Sequence, residues 1–147
     1  MRQLMFAVMA SMLAAPLAIA ADLSLPAEDV IARLSGNTPE AERDAWFDAT
    51  AKDKTVAWAA PVFNVTTAFD TVLVNTRVGE RGLIACEVPK RLEAKAKKAI
   101  QGERALCVGR IEGYERLMGA ALINIAADDF IVGEADIAAW EKKKGGK

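Results

Sequence analysis

Cys86 and Cys107 are the two cysteines of a 147-residue chain that contains no histidine. Together these facts confine the available chemistry. Without His the commonest general base near neutral pH is missing, and with it every Ser-His and Cys-His nucleophile arrangement. Two thiolates cannot complete the usual four-ligand zinc site, so neither a metal nor a cofactor is expected. The usual form of a catalytic dithiol, Cys-x-x-Cys at a helix start, is absent. Ser24 and Ser35 fall in loop-like stretches with no base beside them. Asp128-Asp129 is the most visible carboxylate pair, yet neighbours on a strand point to opposite faces, and the pair reads as solvated. No enzyme is expected; an enzyme of unrecognised type stays as an alternative.

The elements that must position the cysteines lie between residues 55 and 132. Residues 55–65 carry Val, Trp and Phe at spacings suited to a pleated, half-buried surface. Pro61, which cannot donate to a ladder, marks a bend, bulge or edge. Residues 70–76 and 82–88 follow as a hairpin around the turn-like run Arg77-Val-Gly-Glu-Arg81. The period then changes: over residues 89–100, Leu92, Ala96 and Ala99 share one helical face, with Pro89 suited to the start and Gly102 to the exit. Residues 104–112 and 118–132 resume the strand pattern around the turn Gly113-Tyr-Glu-Arg116. Cys86 shares its inward register with Ile84 and Val88, and Cys107 with Ala105 and Ile111. Three strands, a helix and two strands suggest a small closed barrel. Trp58, Phe63 and Phe130 are assigned to its core.

Three stretches carry a family resemblance. They are Val56 to Val65, written Val-x-Trp-x-x-x-Val-x-x-Val, then Ile84-x-Cys86, and Gly102-Glu-Arg-Ala-Leu-Cys-Val-Gly109. In this order they resemble the small secreted bacterial OB-fold families, including those described as tRNA-anti-like domains. The resemblance covers the barrel segment only. It implies a mainly β protein with flanking helices: a five-stranded Greek-key barrel of order β-β-β-α-β-β, used as a binding module. No functional residue is carried across from it.

The N-terminal segment 1–20 reads as a signal peptide: Arg2, an apolar core over residues 4–17, and the small-residue pattern Ala18-Ile19-Ala20 as a cleavage site. Export to the periplasm or beyond, with cleavage after Ala20, is expected, and no stable membrane insertion thereafter. No Cys follows the cleavage point to take a lipid. An oxidising compartment favours closing Cys86 and Cys107 into a disulfide, which would contribute on the order of 3 kcal/mol in the chain-entropy model. Two buried free thiols, or a redox pair, are the competing readings.

Segment 21–52 reads as two short helices preceding the barrel at 53–133. The first, from Pro26 to Leu34, has Val30, Ile31 and Leu34 as its apolar stripe. The second starts after Thr38 and runs through Ala51, with Trp46 expected to dock it on the barrel. Segment 134–147 supplies a helix with Ile137 and Trp140 on one side, then a lysine-rich tail read as disordered.

The formal charge of −1 gives no global pull toward nucleic acid or anionic lipid. The OB resemblance places a ligand on the face of the second and third strands with two loops. Here that face offers Thr71, Leu73, Asn75 and Thr76, with Arg77 and Arg81 as nearby cations in the intervening loop. The expected partner is another periplasmic protein or a small polar ligand. Those two strands hold no aromatic on which a base could stack, so single-stranded nucleic acid stays as an alternative.

Overall fold

Strand alternation dictates the architecture. Val72, Val74, Thr76 and Val78 are buried while Thr71, Leu73, Asn75 and Arg77 between them are half-buried or exposed, the period-two signature of a strand with one face in a core. The computed structural model describes residues 24–145; residues 1–20, read above as a signal peptide, lie outside the described residues. Five strands, β1 (Thr55–Ala68), β2 (Thr71–Val78), β3 (Gly82–Val88), β4 (Arg104–Leu117) and β5 (Ala120–Val132), close into a barrel in the order β1-β2-β3-β5-β4. Neighbours are antiparallel except β3 and β5, which run parallel. This is the OB-like topology, mainly β with flanking helices.

The interior is filled by Val56, Trp58, Val74, Ile84, Ile111, Ile123, Ile125 and Phe130, all buried. Cys86 and Cys107 are joined across it, with their Cα atoms 6.2 Å apart. β3 and β4 are not neighbours, since β5 runs between them, so the bridge ties non-adjacent staves.

Helices stop the two mouths. α1 (Ala27–Ser35) buries Val30, Ile31 and Leu34 where β2 ends and β3 begins. A Cβ on Gly82 would meet the Ile31 side chain at 2.5 Å; only the bare backbone of glycine admits the helix this closely. At the other mouth a single 3₁₀ turn (Lys90–Leu92) leads into α3 (Glu93–Lys97), which buries Ala96. α2 (Glu40–Thr50) lies beside α1, and α4 (Glu134–Gly145) packs on the outside of β4 and β5. There Ile137 joins Leu106 and Ile131 in a small cluster separate from the main core, with Trp140 at its margin.

Several expectations are corrected. β1 runs to Ala68, not Val65, because its polar second half pairs with β2. Arg77 belongs to β2, and the turn is confined to the residues after Val78. The helix expected over 89–100 is shorter, since the chain turns at Lys98. Gly113-Tyr-Glu-Arg116 is not a turn: it lies within β4, with a bulge between Ile111 and Gly113, and the chain reverses at Met118-Gly119. Both residues there have positive φ, 51° and 84°, as a tight hairpin of matching twist requires. Asp128-Asp129 lies inside β5. Phe47 is the more deeply buried anchor of α2, meeting the Tyr114 ring at 4.7 Å, while Trp46 also packs against the core but stays half-buried beneath the Arg33 guanidinium, 4.8 Å away. Lys142, Lys143 and Lys144 form the last turn of α4, where cations suit the helix dipole.

Candidate functional site

α1 and α3 occupy the mouths and α4 sheathes β4 and β5, so the outer side of β1, β2 and β3 is the part of the barrel wall that the helices leave bare. Strand register sets its side chains in rows. One row runs from Asn64 on β1 through Asn75 and Ala85 to Asn124 on β5. Asn75 Nδ2 donates to Asn64 Oδ1 at 2.7 Å, linking the first two amides. Beside it lies the row Thr66, Leu73, Glu87 and Ala126; on the other side lie Arg77, Leu83 and Leu122. The face thus alternates amides with half-buried leucines, and Arg77 and Glu87 roughly cancel in charge.

Thr71, Leu73, Asn75 and Arg77 do share this face of β2. Thr76 does not: it points into the barrel and is 2% exposed, as the alternation of the strand requires. Arg81 also stands apart. It lies in the turn before β3, lining a groove of about 290 Å³ with Glu28, Ile31 and Ser35 at the mouth stopped by α1. The sequence-selected residues therefore divide between one sheet face and one barrel end.

Phe63 was assigned to the core, and that is corrected as well. Its half-buried ring points outward, in alternation with the buried Val56, Trp58, Ala60 and Val62, and the Arg77 guanidinium stacks over it, 4.9 Å from the centroid. The bulge between Val62 and Asn64 then breaks the period, so that Asn64 also faces outward where alternation alone would send it inward. Asn124 was not singled out from the sequence, though the apolar Ile123 and Ile125 on either side, both buried, fix it outward.

A second polar cluster joins α2 to β4. Arg43 is buried, donating from Nη1 to the Thr38 carbonyl at 2.7 Å and from Nε to the Tyr114 hydroxyl at 3.3 Å. That hydroxyl donates in turn to Asp44 Oδ1. Burial first, then the Asp44 carboxylate, push the Tyr114 phenol above its ordinary pKa, with Arg43 pulling the other way. Arg116 Nη1 donates to the Gly36 carbonyl at 3.2 Å, just past the end of α1. These contacts fasten both N-terminal helices to one strand, and a groove of about 390 Å³ runs over them.

No protein-family model matches the chain, and no curated protein does. Similarity appears at the level of solved structures. One OBody bound to hen egg-white lysozyme superimposes with a TM-score of 0.51 at 12% identity, over 78% of this chain and 96% of that one. Asparaginyl-tRNA synthetase from Pyrococcus horikoshii matches with a TM-score of 0.44 at 22% identity, over 55% of this chain and 20% of the synthetase. The match thus spans about a fifth of the synthetase's length. The S. pombe Stn1–Ten1 complex matches with a TM-score of 0.43 at 10% identity, over 60% of this chain and 66% of that one. At these identities the likeness concerns the fold alone, and that fold is the OB barrel.

Proposed function

We propose that the chain is an exported binding module of the small secreted OB-fold kind, working in the periplasm or outside the cell. It engages another exported protein or a small polar ligand through the outer face of β1, β2 and β3. The observation that carries this reading is the bare face itself, where amides and leucines alternate in register across the strands while helices occupy the rest of the barrel. Polar groups that can each donate and accept, beside modest apolar area, suit an uncharged polar partner. Export is supported by Arg2, the apolar run and Ala18-Ile19-Ala20, and by a disulfide of the sort kept in oxidising compartments.

The test combines processing with capture. The N-terminus recovered from a periplasmic fraction is expected at Ala21; a soluble protein still starting at Met1 would overturn export. Capture from periplasmic extract should be lost in the Leu73→Lys, Asn75→Lys double variant, both positions lying on the outer face. Undiminished capture with the fold intact by circular dichroism would remove this face from the reading.

A second reading is favoured by one contact. The half-buried Phe63 ring under Arg77 is the kind of platform on which a base stacks. Against it stands Glu87 on the same face, and a polyanion gains most from phosphate-binding cations. Retention on single-stranded DNA that weakens steeply with salt would establish this reading; its absence would dismiss it.

A further inference from the structure

β1 changes partner along its length. From Thr55 to Pro61 it pairs with β4, and from Asn64 to Ala68 with β2 alone. One edge of its second half is therefore open. Two fixed points give the direction of the backbone groups there. Val62 donates its N–H to the Glu103 carbonyl at 2.8 Å and accepts from the Gly102 N–H at 2.9 Å, so both its polar groups face away from β2. At the other end the two-residue turn Phe69-Asp70 joins Ala68 to Thr71, and the closing pair of such a hairpin exchanges its backbone bonds. Bonded and non-bonded pairs alternate along an antiparallel ladder. Val65 and Thr67 consequently direct N–H and C=O toward the open edge, where no backbone partner meets them among the described residues.

Natural edges of this kind are blunted with lysine, proline or a covering element. Asn64-Val-Thr-Thr-Ala-Phe69 carries no charge and no proline, and Asn64, Thr66, Thr67 and Ala68 are exposed. The stretch ends in Phe69, which is fully exposed at 101% and held at φ +57°. That conformation disfavours a bulky side chain, and an isolated chain gains nothing from displaying the ring.

We propose that this edge pairs with the same edge of a second copy of the chain, β1 against β1, antiparallel about a two-fold axis at Thr66. The register is self-complementary. Val65 falls opposite Thr67 of the second copy, and Thr67 opposite its Val65, so the groups left open on each copy meet groups of the right kind on the other. Thr66 faces Thr66, a favourable cross-strand pair. Phe69 comes level with the outward Phe63 ring of the second copy. The uncharged centre lets identical edges approach without like-charge repulsion. This pairing is independent of what the outer face binds.

Sedimentation equilibrium on the chain purified from an exporting host, its N-terminus sequenced, tests the proposal. The wild type is expected to dimerise with Kd below about 100 μM. Thr66→Lys sets two ammonium groups at the closest approach of the paired strands and should weaken the dimer at least about tenfold. Phe69→Asn should also weaken it while keeping or improving the monomer fold, since Asn suits a positive φ. Glu141→Lys on α4, remote from the edge, should leave the dimer unchanged. A wild type that stays monomeric, including one that instead takes up a synthetic extended peptide, would overturn self-pairing. So would a dimer as tight in both the Thr66→Lys and Phe69→Asn variants as in the wild type.

Discussion

At the scale of single residues, Tyr114 shows how one side chain is tuned by what folds over it. Its ring packs on Phe47 and its hydroxyl sits between the Arg43 guanidinium and the Asp44 carboxylate. Burial and Asp44 hold the phenol neutral to higher pH than in the unfolded chain, where it ionises near pH 10. The folded state thus keeps its proton longer, and the resulting stability is fully present below about pH 10 and lost as pH climbs through the raised value. Urea midpoints measured from pH 8 to pH 11 should fall at the alkaline end, and Tyr114→Phe should flatten that fall. An equally steep fall in the variant would assign the effect elsewhere. None of this was legible beforehand, because Gly113 made the stretch read as a turn. What decides for strand is tertiary: Phe47 arrives from a helix far away in sequence to cover the ring. Thr76 and Phe63 were misplaced more locally. Thr76 is a polar residue that alternation sends inward, and Phe63 an apolar one that alternation sends outward.

Among the elements, those with an unbroken period were read correctly. The stripe of Val30, Ile31 and Leu34 did identify the buried face of α1, and β3 spans the expected residues. Hairpin reversals were harder, because Met118 and Phe69 at their tips are not turn formers and only φ reveals their role. α4 was anticipated from Ile137 and Trp140, and its attachment yields a prediction. Ile137 is 2% exposed but belongs to the small cluster outside the barrel. Ile137→Ala should cost about 2–3 kcal/mol of local stability, releasing α4 before the strands. Native-state hydrogen exchange would then show faster exchange across α4 with little change in β1, β2 and β3. A uniform acceleration throughout the molecule would mean that the helix unfolds only with the barrel.

For the whole molecule, the succession of strands and helix was legible because the later apolar runs are separated by a glycine, a proline or a change of period, whereas β1 and β2 meet at Phe69-Asp70 with none of these. Which outer face stays uncovered was not, since that depends on where four helices come to rest. The disulfide belongs to this scale because it ties two non-adjacent strands across the barrel. Cys86 lies opposite Ile125 of β5, and Cys107 opposite Phe130 of the same strand, so the link passes through the interior over the intervening stave. Both residues are essentially inaccessible, at 0% and 1% exposure, and thiol exchange requires the attacking thiolate to reach sulfur. A mild reductant without denaturant should leave the bridge intact, and added urea should expose both thiols together with global unfolding. Cys86→Ala with Cys107→Ala should lower the unfolding free energy by about 3 kcal/mol, through loop-closure entropy returned to the unfolded chain. Equilibrium urea unfolding of the two proteins checks the figure. A variant as stable as the parent would show that the barrel closes on side-chain packing alone, with α1 and α3 holding its ends.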